Sequence, residues 1–287
     1  MLPAPVESRV AANGVELVVS EWPGAGRTVL FCHATGFHAH IWDQVIVQFR
    51  ALGFENRCIA FDARGHGRSS KPTPPYRWRA LGADIAALAE ALGIEGAVGV
   101  GHSLGGHSVT LAAALRPEAF SALVLLDPVI RPASDYVGSW NQAHIVRKRR
   151  NQWTSAEEMF ERFENRPPFA SWERQILWDY CDHALERNGD GFVLACPPEI
   201  EASIYENSRV NASNIYAEIA TVRIPVHVVR AGFDDQTHFM AKTLTSPVLA
   251  ASFARGRDTL LAEQSHFIPM EAPALTAKLI AEAVRLL

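Results

Sequence analysis

The sequence predicts an α/β protein: a mostly parallel, doubly wound sheet with a helical cap subdomain inserted into it. Three observations carry that prediction. Short, continuous apolar runs recur at residues 28–32, 57–62, 97–101, 121–127 and 225–230, with helical patterns between most of them. One of these runs passes through Gly101-His102-Ser103-Leu104-Gly105 straight into a helical stretch. Between about residues 131 and 211 the strand–helix rhythm stops, and amphipathic helical segments replace it before the rhythm resumes. The expected organisation is therefore a core at 1–130, a cap at 131–211 and the rest of the core at 212–287.

Composition supports one large domain of this kind. The chain has 287 residues, 48% of them hydrophobic and 20% charged, which is ample material for a core. A net charge of −4 supplies no field for nucleic acid or an anionic membrane surface. The one basic cluster, Arg147-Lys148-Arg149-Arg150, reads as a solvated helix face. Cys32, Cys58, Cys181 and Cys196 lack metal-type spacing, and nothing requires a disulfide. The first residues show neither the charged nor the apolar region of a signal peptide. No apolar run approaches the ~20 residues of a membrane span. A cytoplasmic protein acting on a small apolar or aromatic molecule is the expectation, with its oligomeric state open.

Taken in order, residues from about Ser8 to Glu21 alternate apolar and polar around Asn13-Gly14, a hairpin signal. Thr28-Val29-Leu30-Phe31-Cys32 has the apolar continuity of a strand buried on both faces. It empties into a loop holding His33, His38 and His40, which are bunched without a matching carboxylate or cysteine set and so do not form a metal site. A helix to about Leu52 precedes the strand Arg57–Asp62. The loop Ala63-Arg64-Gly65-His66-Gly67-Arg68 follows and reads as structural. Arg79–Leu92 has helical spacing and stops at Gly93. Ser121–Asp127 is the next buried strand, ended by Pro128. In the cap, Trp140, Trp153, Trp172 and Trp178 pack onto the core or line an apolar pocket, and breaks fall at Pro167-Pro168, Asn188-Gly189-Asp190-Gly191 and Pro197-Pro198. Pro225–Arg230 resumes the core. Thr259-Leu260-Leu261 and a closing amphipathic helix from Pro273 complete it.

The chemistry gathers at the carboxyl ends of these strands, where open α/β sheets bind ligands. A serine on a tight strand-to-helix turn is held with its hydroxyl exposed at a helix N-terminus. Ser103 still needs a base, and the base needs an acid to fix its tautomer. His266, in Ser265-His266-Phe267 after the last strand, is the base. For the acid, Asp235 in the Gly232-x-x-Asp235 loop leads, with its neighbour Asp234 and the strand-end Asp127 as alternatives. The backbone N–H of Leu104 supplies one oxyanion donor. Thr35, with Ala34 as the other choice, supplies the second.

The segments His33-Ala34-Thr35-Gly36, Asp62-Ala63-Arg64-Gly65-His66-Gly67-Arg68-Ser69, Gly101-His102-Ser103-Leu104-Gly105-Gly106, Gly232-Phe233-Asp234-Asp235 and Ser265-His266-Phe267 resemble the cap-bearing branch of the α/β-hydrolase superfamily. That resemblance implies a serine hydrolase, most often a carboxylesterase or lactonase, working without metal or organic cofactor. The family usually has glycine where this chain has Ala34. Superfamily epoxide hydrolases and haloalkane dehalogenases carry an aspartate nucleophile, whereas this chain has Ser103. C–C bond hydrolysis by the same triad is the alternative reaction, although the His-Gly-x-Gly-Pro-Gly loop usual for it is absent. A ligand receptor on the same fold is the alternative outside catalysis.

Overall fold

Alternation along the buried strands sets the layers. Leu30, Ile59, Leu123, Leu125 and Val228 join one apolar cluster, while Phe31, Ala60, Val124, Leu126 and Val229 join another. Successive side chains of a strand point to opposite faces, so these runs need cover on both sides. The structure is a computed structural model that describes residues 3–232 and 242–286.

The chain begins with the expected hairpin, β1 (Val6–Ala12) and β2 (Val15–Trp22), turning at Asn13 and Gly14 with positive φ at both. Strand β3 (Val29–Cys32), helix α1 (Asp43–Ala51), β4 (Cys58–Phe61), α2 (Trp78–Ala91), β5 (Ala97–His102), α3 (Leu104–Leu115) and β6 (Phe120–Leu126) follow. An inserted stretch holds α4 (Ala143–Arg147), β7 (Gln152–Trp153), α5 (Ala156–Phe163), α6 (Arg174–His183), β8 (Leu185–Asn188), β9 (Gly191–Leu194) and α7 (Pro198–Glu206). The core then closes with α8 (Tyr216–Ile219), β10 (Val226–Ala231), β11 (Gly256–Leu261), α9 (Ile268–Glu271) and α10 (Pro273–Arg285).

The main sheet runs β1-β2-β4-β3-β5-β6-β10-β11, and it is parallel from β4 to β11. Helices α2 and α3 pack on one face, α1 and α10 on the other. Strands β5 and β6 are neighbours, which brings His102 level with Leu126 and so sets Ser103 beside Asp127. No helix among the described residues is long and apolar enough to cross a membrane.

The inserted stretch differs from an all-helical expectation. It carries a three-stranded antiparallel sheet, β7-β9-β8. Asn188-Gly189-Asp190-Gly191, expected as a break, is the hairpin turn between β8 and β9: Asn188 pairs with Gly191, and Gly189 has φ +59°. The basic run is not one solvated helix face either, because α4 ends at Arg147. Arg147 pairs with Glu199 and Glu206, Arg149 with Glu201, and Arg150 with Glu158. These pairs tie the run to α7 and α5.

Candidate active site

Ser103 joins β5 to α3 with φ +55° and ψ −117°, a conformation L-residues rarely adopt. The turn can be this tight because its neighbours lack side chains. A Cβ on Gly101 would lie 2.6 Å from the Gly105 carbonyl oxygen, and one on Gly105 would lie 2.1 Å from that of Cys32. The Ser103 carbonyl accepts N–H bonds from Gly106 (3.1 Å) and Val129 (3.0 Å), which anchors the Ser103 backbone to both α3 and the exit of β6.

His266 lies with its Nε2 3.0 Å from Ser103 Oγ and its Nδ1 2.6 Å from Asp127 Oδ2. In this arrangement Nδ1–H donates to the carboxylate, leaving Nε2 to accept the serine proton. Asp127 is fully buried and its carboxylate is well satisfied. Its Oδ1 accepts from the Ala231 N–H at 3.0 Å, the Thr243 hydroxyl at 2.6 Å and the Thr245 hydroxyl at 3.1 Å. Of the three aspartates the sequence offers, the structure thus places Asp127 on the His266 ring. The imidazole keeps its one proton on Nδ1, and the strand-end carboxylate accepts the hydrogen bond from it. Asp235 and Asp234 lie outside the described residues.

Three histidines outside this group act as fixed neutral props. His102 Nε2–H donates to the carbonyl of His266 at 2.8 Å, and burial pushes its pKa down to about 3. His66 Nε2 accepts the Gly36 N–H at 3.0 Å while its Nδ1–H donates to the Arg64 carbonyl at 3.0 Å; burial lowers it to about 3 as well. His33 Nδ1–H donates to the Ala34 carbonyl at 2.7 Å, and its Nε2 accepts the Ala63 N–H at 2.9 Å. The last two pin the loop that carries Ala34 and Thr35. Sequence reasoning did not identify His102 as a support for the base, although its place directly before the nucleophile puts its ring beside whatever loop delivers that base.

Both Thr35 and Ala34 line a cavity of about 180 Å³ together with Ser103 and His266. Leu104 is the first residue of α3, so its N–H belongs to the turn whose donors find no carbonyl within the helix. Of the four tryptophans expected at a pocket or packing surface, Trp140 lines the cavity and meets Tyr205 at 5.5 Å. Trp153 and Trp172 are buried in the core cluster, and Trp178 packs against it. Trp172 also contacts Phe37 at 5.6 Å and Phe267 at 5.3 Å, bracing from the inserted stretch both the loop after β3 and the loop that carries His266. No group of three or more His, Cys, Asp or Glu side chains among the described residues could hold a metal ion.

The family model for the alpha/beta hydrolase family matches residues 29–279. The chain belongs to that family. Among relatives of the alpha/beta hydrolase family, a non-heme chloroperoxidase of Streptomyces lividans is 38% identical over 120 residues, 41% of this chain and 43% of that protein. The chain thus spans less than half the length of that relative. A 3-oxoadipate enol-lactonase 2 of Acinetobacter baylyi is 26% identical over 79% of each chain. The crystal structure of an E-2-(acetamidomethylene)succinate hydrolase superposes with a TM-score of 0.76 at 21% identity, covering 98% of this chain and 99% of that one. This last likeness establishes the fold of the alpha/beta hydrolase family across nearly the whole chain.

Proposed function

We propose that the protein hydrolyses a carboxylic ester or lactone through an acyl-enzyme intermediate. The carrying observation is the unbroken chain of contacts from Ser103 Oγ through the His266 ring to the buried Asp127 carboxylate. His266 takes the serine proton as Oγ bonds to the substrate carbonyl carbon. The backbone N–H groups of Leu104 and Thr35 hold the oxyanion, and His266 returns the proton to the departing alkoxide as the ester C–O bond breaks. Water then repeats the sequence against the acyl-serine, releasing the acid and restoring Ser103. Asp127 keeps the proton on Nδ1 and stabilises the imidazolium. The inserted stretch is the cap that closes the cavity. An enol-lactonase among the relatives is consistent with this reading.

The test is hydrolysis of a chain-length series of p-nitrophenyl esters, followed from the first turnover. Wild type should show a burst followed by steady turnover, and Ser103→Ala should show neither while remaining folded. Asp127→Asn should lower kcat by roughly 10⁴-fold, as expected when a triad base loses its tautomer control. Asp235→Asn should retain most of its rate. If the Asp235 variant were the crippled one, the assignment of the acid would be overturned.

A further inference from the structure

The cavity beside Ser103 holds positive charge that the proposed reaction does not use. Arg131 and Arg209 both line it, as does Lys242. Arg131 lies just past Asp127, where the chain leaves β6, and Arg209 lies just past α7 in the inserted stretch. One cation therefore comes from the sheet and the other from the cap. Within the described residues, neither guanidinium makes an ion pair with a carboxylate. The Nε of Arg131 is buried without a hydrogen-bond partner, and Arg209 Nε reaches only the Asp135 carbonyl, at 3.4 Å. Burial, and then the like charge of Arg209, hold Arg131 below its ordinary pKa.

An arginine cannot escape burial by giving up its proton, so a desolvated guanidinium beside another one calls for an anion. A guanidinium fork presents two parallel donors that match a carboxylate. Between the cations and Ser103 the wall also carries apolar side chains, Phe37, Trp140 and Leu244 among them, which suit a short carbon chain between a charged end and the reacting carbonyl. The cavity, at about 180 Å³, is smaller than the roughly 300 Å³ at which drug-sized ligands begin to fit.

We propose that Arg131 and Arg209 form an anion site for a carboxylate on the substrate, so that the molecule cleaved is a small ester or lactone bearing a free carboxylate. The proposal rests on the ester hydrolysis advanced above and specifies its substrate class. It departs from the purely apolar or aromatic substrate that the sequence suggests. Esterifying the carboxylate should cost affinity twice over, removing the attraction and leaving the buried Arg131 Nε unpaired.

The test compares two substrates with one leaving group and one chain, p-nitrophenyl hydrogen adipate and p-nitrophenyl methyl adipate. Wild type should favour the free acid in kcat/KM by about 10- to 100-fold, the range of a charged hydrogen-bonded pair. Arg131→Gln and Arg209→Gln should each lower that ratio by roughly tenfold, and the double variant should abolish it. Because the readout is a ratio within each variant, loss of folded protein does not shift it. A wild type that prefers the methyl ester, or a ratio unchanged in the double variant, would overturn the anion site. Should wild type turn over neither ester, the hydrolytic reading fails, and calorimetric titration of Ser103→Ala with adipate decides the anion site alone. Binding weakened tenfold or more by Arg131→Gln supports it; no binding, or equal binding, overturns it.

Discussion

At the scale of single residues, the site depends on atoms that are missing as much as on those present. Gly105 lets the start of α3 lie against the backbone at the end of β3, where a Cβ would sit 2.1 Å from the Cys32 carbonyl oxygen. Backbone cannot yield as a flexible side chain can. Gly105→Ala should therefore lower activity on any good ester by at least tenfold and lower Tm by several degrees, as overpacking costing about 1–3 kcal/mol would. A normal rate and Tm would mean that the turn is looser than its geometry indicates. Ser103 and His266 were legible in the sequence because turn chemistry and order along the chain identify them. Which aspartate meets the ring was not, since two strand ends, those of β6 and β10, each lead to an aspartate. Only the contacts of the folded chain show that Asp127 meets the ring, held by the Thr243 and Thr245 hydroxyls that no motif marks.

At the scale of elements, the strands and helices of the core could be read directly, because runs buried on both faces leave a continuous apolar signature. The inserted stretch was harder. Its strands are two to four residues long, too short to show a period, and its basic run resembles any solvated helix. In the structure that run works as a clamp. Arg149 meets Glu201, whose side chain is 1% exposed while that of Arg149 is 28% exposed, and both lie against Gly36 in the loop after β3. Removing the carboxylate leaves a largely enclosed cation beside that loop. Glu201→Ala should destabilise the fold by about 3 kcal/mol, at the low end for a broken buried pair because Arg149 keeps some water. Urea unfolding would measure it, and a loss under about 0.5 kcal/mol would make the pair an ordinary surface contact.

For the whole molecule, the buried histidines set the response to acid. Burial lowers His66 and His102 to about 3 and His107 to about 4, below the ordinary value of about 6.5. Between those limits the unfolded chain binds more protons, so stability is undiminished above about pH 6.5 and falls as pH drops towards the folded values. Each ring removes roughly 1 kcal/mol per pH unit in that window. Burial also lowers His33, His38, His183 and His227, so Tm should fall steeply from pH 6.5 to 5, and His107→Gln, which keeps a donor for the Ser213 carbonyl that His107 Nε2 meets at 2.9 Å, should remove only its own share of the slope, about 1 kcal/mol per pH unit. An unchanged slope would place the acid sensitivity elsewhere. The order of the strands carries one more consequence. Ser103 and Asp127 leave adjacent strands in the middle of the sheet, whereas His266 follows β11, an edge strand whose residues are largely exposed. Regions with few buried contacts open at lower free energy than the core. The segment 265–270 is nonetheless buried, with Phe267, Ile268 and Met270 in the core cluster, so His266 is moored by its own neighbours rather than by the strand that precedes it, and fraying of that edge leaves the ring in place until the core cluster itself opens.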